Sequence, residues 1–273
     1  MIGKGKNLNI FRWFAVSFSL YSKIPMPRFI WKEDDMAHSL TFFPFVGVAI
    51  GAFIWLINVP AFMMSVPVAV RVMLTVLAPL VITGGFHLDG FMDTEDALKS
   101  YAPTEKKLEI LKDPHIGAFA VLGLVRTLLV FGASATAILL SDNCDNETIL
   151  IFASIFAVGR CLSGLTSLLL KKAKKDGMLY EETRTGQKGM IIFLVITLVA
   201  LEIGVLFLDL FKGLAVLLTF TLYTIYYRYK AYKEFGGVTG DTAGYFLTTS
   251  ETMAAAVLAV VQLGTVPLCT FLG

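Results

Sequence analysis

Residues 66 to 96 read V-P-V-A-V-R-V-M-L-T-V-L-A-P-L-V-I-T-G-G-F-H-L-D-G-F-M-D-T-E-D and pass directly from an apolar run into an acidic one. The apolar run, residues 66 to 84, is close to the roughly 20 residues that a helix needs to cross the hydrocarbon of a membrane. The stretch from Thr83 to Asp96 then carries four acidic side chains. The junction predicts a transmembrane helix that ends beside a polar site at the membrane surface.

Apolar segments of this length recur along the chain. The 273 residues are 56% hydrophobic and 16% charged, with a mean hydropathy of +0.73, which is too apolar for a soluble domain of this size. Seven apolar segments lie at about residues 41–59, 66–84, 117–140, 148–170, 190–208, 213–228 and 251–272. The four residues 209–212 between the fifth and sixth predict a tight hairpin. The predicted fold is all-α, a polytopic membrane helix bundle with about seven transmembrane helices, forming one catalytic domain over residues 1–273.

The first 40 residues form an interfacial segment before the first span. Residues 8 to 22 place Leu8, Phe11, Phe14 and Phe18 at helical spacing among basic residues, which predicts an amphipathic helix lying in the membrane interface. No cleavage site of the A-x-A kind follows, so we do not expect a removed signal peptide.

Basic residues lie mainly in one set of connections. They precede the first span and recur in the loops at about 84–116, 171–189 and 229–250, whereas the turns near 60–65, 141–147 and 209–212 hold one between them. The positive-inside rule then places the amino terminus and the long loops in the cytoplasm and the carboxyl terminus outside. Every candidate motif falls on the cytoplasmic side.

Three aspartates of the acidic stretch share one helix face. Asp89, Asp93 and Asp96 stand at i, i+4 and i+7, while Glu95 points away from them. Like charges in one place repel, and three hard oxygen ligands suit Mg²⁺ or Mn²⁺. The alternative is that they form the solvated acidic start of a surface helix, favoured by the helix dipole.

The connection between the second and third spans ends in K-D-P-H-I-G-A-F, residues 112–119. Pro114 and Gly117 indicate the start of a helix, whose free N–H groups could bind a phosphate. His115 could donate to phosphate oxygens or transfer a proton. The later run K-K-A-K-K, residues 171–175, fits anionic lipid headgroups at least as well as a substrate.

Arg71, Arg126 and Arg160 lie within apolar segments, where a charge is costly and indicates a function by default. Arg160 is the strongest candidate of the three, because it opens a stretch of small residues that permits close helix packing.

A glycine-rich stretch, F-G-G-V-T-G-D-T-A-G, occupies residues 235–244. Its glycines give a backbone that can wrap an anion, and Asp241 adds one carboxylate for a cation. The alternative is a simple turn before the last span. A second motif on the same membrane face favours a site.

Four motifs in this order resemble one known family. They are T-F-F-P-F-V-G-V-A-I-G (41–51), T-G-G-F-H-L-D-G-F-M-D-T-E-D-A (83–97), K-D-P-H-I-G-A-F-A (112–120) and G-G-V-T-G-D-T-A-G (236–244). Together they are similar to the cobalamin synthases, the adenosylcobinamide-GDP ribazoletransferases. The resemblance implies a Mg²⁺-dependent enzyme of the bacterial or archaeal inner membrane that joins α-ribazole, or its 5′-phosphate, to adenosylcobinamide-GDP and releases GMP.

The resemblance and the chemistry of phosphoryl transfer suggest a role for each candidate residue. Asp89, Asp93 and Asp241 are the expected Mg²⁺ ligands, and Asp96 is a fourth ligand or the base. His87 is a second candidate for the base. The expected substrate-binding residues are Gly90, His115, Arg160, Gly237, Thr239, Gly240 and Thr242. His115 stands where we expect arginine in this family, which puts its phosphate contact in doubt.

Two other functions remain open at this point. A CDP-alcohol phosphotransferase also sets aspartates at helical spacing around Mg²⁺, but it pairs Asp-Gly with a nearby Ala-Arg, and Gly90 is followed by F-M-D-T. An anion transporter would line its path with the three intramembrane arginines and would show an inverted repeat, which we do not see. We expect no nucleic acid partner, and the sequence leaves a homo-oligomer open.

Overall fold

The computed structural model describes residues 4–28, 30, 33–60, 63, 65–184 and 187–264. In the described ranges the only β-type pairing is a single bridge between Lys172 and Val238. The α-helices in chain order are α1 (Lys4–Tyr21), α2 (Glu33–Met36), α3 (Phe43–Asn58), α4 (Val68–Thr83), α5 (Phe86–Lys99), α6 (Thr104–Ile110), α7 (Ala118–Leu140), α8 (Asn146–Leu169), α9 (Met178–Thr183), α10 (Gln187–Leu208), α11 (Leu210–Phe235) and α12 (Gly240–Gly264). A 3₁₀ turn, Ser39–Phe42, precedes α3.

Helix α8 forms the centre of the bundle and packs against α3, α10, α11 and α12. Two glycines of α3 allow the closest of these contacts. A Cβ on Gly47 would lie 2.2 Å from the carbonyl oxygen of Phe156, and one on Gly51 would lie 2.4 Å from that of Ala153. Small residues that let backbones approach are a common packing device between membrane helices, where water does not drive association.

Helices α4 and α5 form one element bent by 93°. Gly84 and Gly85 make the bend with φ values of +68° and +81°, a region that glycine enters without steric cost. Helix α4 is apolar, whereas α5 carries an acidic side chain in its first turn and a basic one in its last turn. Together with six long apolar helices, α4 confirms the predicted all-α bundle with about seven crossings.

The predicted hairpin at 209–212 is present, and Asp209 begins α11 by accepting hydrogen bonds from the amides of Phe211 and Lys212. The prediction of a loop over residues 229–250 is largely wrong, because α11 continues to Phe235 and α12 begins at Gly240. Both helices extend beyond their apolar cores, so hydropathy alone misses their polar ends. Residues 265–272 of the predicted last span lie outside the described residues.

Helix α1 contains the predicted N-terminal helix. Ile10 and Phe11 are exposed, whereas Ala15, Val16 and Phe18 are buried against the 3₁₀ turn and α3. The carboxyl-terminal half of α1 is therefore packed onto the bundle, and its last residue, Tyr21, reaches the candidate site.

Candidate active site

A cavity of about 410 Å³ opens at one end of the bundle. Its walls come from α1, α3, α5, α8 and α12, from the start of the α6–α7 connection and from residues 172–182. Each of the four motifs that carry the family resemblance contributes a lining residue, namely Phe43, Asp89, Lys112 and Asp241. The fold therefore brings motifs that are distant in sequence to one place.

Helices α5 and α12 cross at two glycines. A Cβ on Gly244 would lie 2.6 Å from the carbonyl oxygen of His87, and one on Gly90 would lie within 3.0 Å of the Asp241 backbone. Side chains at these positions would push the helices apart. The crossing sets Asp241, in the first turn of α12, opposite the acidic face of α5.

The three predicted metal ligands lie on these facing helices. Burial, and then repulsion from Asp89, Asp241 and Asp96, raise the pKa of Asp93 to about 6. Within the described ranges, none of Asp89, Asp93 and Asp241 forms an ion pair with a basic side chain. In the same part of the chain, no group of three His, Cys, Asp or Glu side chains is arranged to hold a metal ion. Asp89, Asp93 and Asp241 thus lie near one another without an ion-pair partner among the described residues, and they are not arranged as a complete set of metal ligands.

Asp96 turns toward α7. Its Oδ2 accepts a hydrogen bond from the amide of Gly117 at 2.7 Å, and its Oδ1 accepts one from the amide of Ala120 at 2.8 Å. The carboxylate thus caps the start of α7 from another helix. This corrects the expectation that these amides are free to bind phosphate. The predicted role of Asp96 as base or fourth ligand stays a prediction.

Glu95 faces away from the three aspartates, as its position on the helix predicts. Its Oε1 accepts a hydrogen bond from Nη2 of Arg126 at 2.9 Å. Arg160 is buried in the bundle, where its Nη1 donates to Oε1 of Glu251 at 2.7 Å. Because an acid neutralises both arginines, the structure argues against an anion path lined by them. Arg160 lies behind His87 at a second, smaller cavity and not among the residues that line the large one.

His87 lines both cavities, next to the rings of Tyr21 and Phe43 at centroid distances of 5.9 Å and 5.2 Å. Its Nδ1 is enclosed and contacts no hydrogen-bonding partner among the described residues. Burial, and then the Arg160 guanidinium, lower the pKa of His87 well below its usual range. The imidazole is therefore neutral, and the lowered pKa makes it a weak proton acceptor.

His115 lies away from the large cavity. Its side chain is 88% exposed, and its Nδ1 is 2.7 Å from Oδ1 of Asp113, which also accepts a hydrogen bond from the His115 amide. This Asp113 turn holds the ring in solvent, so the structure does not place His115 where a substrate in the cavity could contact it.

The glycine-rich motif divides into residues that line the cavity and residues that shape it. Thr239 and Gly240 line the cavity together with Asp241. The Thr239 and Thr242 hydroxyls accept hydrogen bonds from each other's amides and so begin α12. A Cβ on Gly237 would lie 2.5 Å from the carbonyl oxygen of Lys171, so glycine is needed where the chain bridges to the basic run. Gly237 and Thr242 therefore shape the cavity without lining it.

Two lysines of the basic run line the cavity, an outcome that the sequence left open. The Val238 amide donates to the Lys171 carbonyl and the Ala173 amide to the Val238 carbonyl, each at 2.9 Å. This pairing turns Lys172 and Lys174 toward the site. Burial lowers the pKa of both amines, and at Lys174 the charge of Lys112 adds to it. No local pattern shows this long-range bridge.

Sequence comparisons agree with these motifs. A family model described as cobalamin-5-phosphate synthase matches residues 13–259. An adenosylcobinamide-GDP ribazoletransferase of Lachnoclostridium phytofermentans is 38% identical over 253 residues, covering 90% of this chain and 93% of its own. Similar relatives with this name occur in Clostridium perfringens, at 35% identity over 90% of this chain and 96% of theirs, and in Listeria monocytogenes, at 33% over 82% and 88%.

No solved structure matches the chain. The matched region contains the cavity and each of the four motifs, so the similarity covers the site as well as the spans. The chain belongs to the cobalamin-5-phosphate synthase family.

Proposed function

We propose that the chain joins α-ribazole, or its 5′-phosphate, to adenosylcobinamide-GDP. The acceptor's ribose hydroxyl attacks the phosphorus on the cobinamide side of the pyrophosphate. A new P–O bond forms, the bridging P–O bond breaks, and the hydroxyl proton passes to a base. The products are GMP and adenosylcobalamin, or its 5′-phosphate, which completes the nucleotide loop.

One observation supports this reaction beyond family membership. The cavity combines Asp89 and Asp241, neither of which forms an ion pair with a described residue, with Lys172 and Lys174, and the charge of Lys174 acts on Asp241. Acidic groups for a cation and amines for phosphate oxygens are the two components that transfer from a pyrophosphate requires. A path for anions has no use for the two aspartates, because carboxylates repel an anion.

We assign a magnesium site to Asp89, Asp93 and Asp241. Hard carboxylate oxygens suit this ion, and the pKa of Asp93, which burial and then the charges of Asp89 and Asp241 raise, supports a cation at this place. These residues would hold a divalent cation, which would supply positive charge to neutralise the phosphate oxygens. Lys172 and Lys174 attract the pyrophosphate to the same place. His87 is placed to accept the hydroxyl proton, because it lines the cavity and its Nδ1 has no partner among the described residues, but its lowered pKa makes it a weak base.

The orientation in the membrane follows from the basic loops. Lys112, Lys172 and Lys174 lie at the end of the bundle where the cavity opens, and positive residues concentrate on the cytoplasmic side of membrane proteins. We therefore place the site and the amino terminus in the cytoplasm and the protein in the cytoplasmic membrane.

The test is a turnover assay with membranes that contain the folded chain. The membranes receive adenosylcobinamide-GDP with or without α-ribazole phosphate. The assay measures the GMP released and the mass of the corrinoid product. The proposal predicts equal amounts of GMP and of a corrinoid enlarged by the ribazole, only when the acceptor is present. GMP release without that corrinoid indicates hydrolysis and overturns it, as does absence of both products.

A further inference from the structure

The cavity that holds the aspartates and lysines also has an aromatic part. Tyr21, Phe43 and Phe86 line it and form what we call the aromatic wall. The Tyr21 ring centroid lies 4.4 Å from that of Phe43 and 6.0 Å from that of Phe86. Flat aromatic surfaces of this kind are typical places for a planar base to stack.

Glu182, in α9, lies beside the aromatic wall and lines the same cavity. It is 3% exposed and forms no ion pair in the part of the chain that the structure describes. The hydroxyls of Tyr21 and Ser39 both donate to its Oε1, and Oε2 forms no hydrogen bond with a described residue. A buried carboxylate with an unused oxygen is costly unless a ligand supplies donors.

We propose that Glu182 selects guanine in the donor nucleotide by accepting hydrogen bonds at its open Oε2 from the N1–H and 2-amino groups while the base lies against the aromatic wall. This inference rests on the proposed function and extends it to a specificity-determining residue. Guanine presents two adjacent N–H donors, which match a carboxylate. The base of the ribazole instead offers the lone pair of a ring nitrogen, which a carboxylate repels.

The size of the cavity supports the same occupant. A volume of about 410 Å³ lies near the lower end of the roughly 300–1,000 Å³ of pockets that enclose drug-sized ligands. It can enclose a nucleoside monophosphate, but not a corrin ring with its side chains. Lys172 and Lys174 line the same cavity and are available to the 5′-phosphate of a nucleotide held at Glu182, and the corrinoid stays outside.

The test compares equilibrium binding of GMP and IMP to the purified full chain in detergent with Mg²⁺, at a pH above the value of about 7 to which burial raises the Glu182 pKa, so that the carboxylate is ionised. IMP lacks only the 2-amino group. The wild type is expected to prefer GMP by about tenfold or more, the size of one hydrogen bond to a charged group. In Glu182→Gln the preference falls to within about threefold. The matched control is Glu181→Gln, a neighbour on α9 that is exposed and paired with Arg184, and it keeps the wild-type preference.

Equal binding of GMP and IMP by the wild type overturns the inference, whether or not the variant folds. An unchanged preference in Glu182→Gln also overturns it. Because binding is measured without turnover, this result is independent of the proposed reaction. A chain that makes the corrinoid product but shows no GMP preference refutes only the guanine site, and a chain that forms no product refutes the reaction itself.

Discussion

A Cβ on Gly90 would lie 2.8 Å from the Cα of Asp241. Helices α5 and α12 therefore touch backbone to backbone at the point where their carboxylates meet. Two halves of a site, some 150 residues apart in sequence, depend on this contact.

Gly90→Ala is expected to separate α5 from α12. The added methyl group meets backbone atoms of Asp241, which have no rotamer to change, so the helices must shift. We expect GMP release to fall by at least about a hundredfold, as misplacement by about 1 Å can cause, and stability to fall by about 1–3 kcal/mol. The control is Gly132→Ala in α7, where the nearest atom to the new Cβ lies 3.8 Å away. Full activity in Gly90→Ala contradicts the crossing described here.

Asp96→Asn separates the two roles open to this residue. A capping role predicts a loss of about 0.5–2 kcal/mol in stability, because the amide can accept only one of the two hydrogen bonds from α7. Loss of a catalytic base predicts instead a drop in kcat of about 10²–10⁴. We expect the stability loss with kcat reduced less than tenfold, measured by thermal unfolding and by GMP release. A kcat drop beyond a hundredfold with unchanged stability assigns Asp96 as the base.

Asp93 makes stability depend on pH in an unusual direction for a carboxylate. Its pKa is about 6 in the folded protein against an ordinary value of 3.8, so the folded state binds more protons between these values. The contribution of Asp93 to stability therefore decreases as the pH rises from 3.8 to about 6. Thermal unfolding without divalent cations should show a smaller decrease in Asp93→Asn than in the wild type. Identical pH profiles for the two proteins would falsify this assignment.

The ion pair of Arg160 and Glu251 offers a test of the bundle interior. Glu251→Gln leaves the Arg160 guanidinium buried without a counter-charge and should destabilise the protein by about 3–5 kcal/mol. Replacing both residues with methionine should recover a large part of this loss. Glu202→Gln, in the half-buried part of α10, serves as the control. Wild-type stability in Glu251→Gln would show that the pair does not hold the bundle together.

Hydropathy was sufficient to predict the number of spans, because crossing a membrane requires about 20 apolar residues. Periodicity also predicted that Glu95 faces away from Asp89 and Asp93, and Glu95 does pair with Arg126. These features depend on local chemistry alone. The start of α12 was predicted eleven residues too late, at 251 instead of Gly240, because its first turns are polar.

The composition of the cavity depends on contacts that no local pattern contains. Lys172 and Lys174 line it because their segment pairs with Val238. The amides at the start of α7 were expected to bind phosphate, but Asp96 occupies two of them. No local sequence pattern marks Glu182 as a site residue, since its partners Tyr21 and Ser39 precede it by more than 140 residues.

The most direct measurement is the Mg²⁺ dependence of GMP release in the wild type, Asp89→Asn and Asp241→Asn, with Asp142→Asn as the control at the opposite end of the bundle. If carboxylates of α5 and α12 form one cation site, both cavity variants lose at least about a hundredfold in rate or need far more Mg²⁺, while Asp142→Asn matches the wild type. Release of GMP that does not depend on a divalent cation, or a wild-type Mg²⁺ profile in Asp241→Asn, would contradict the account.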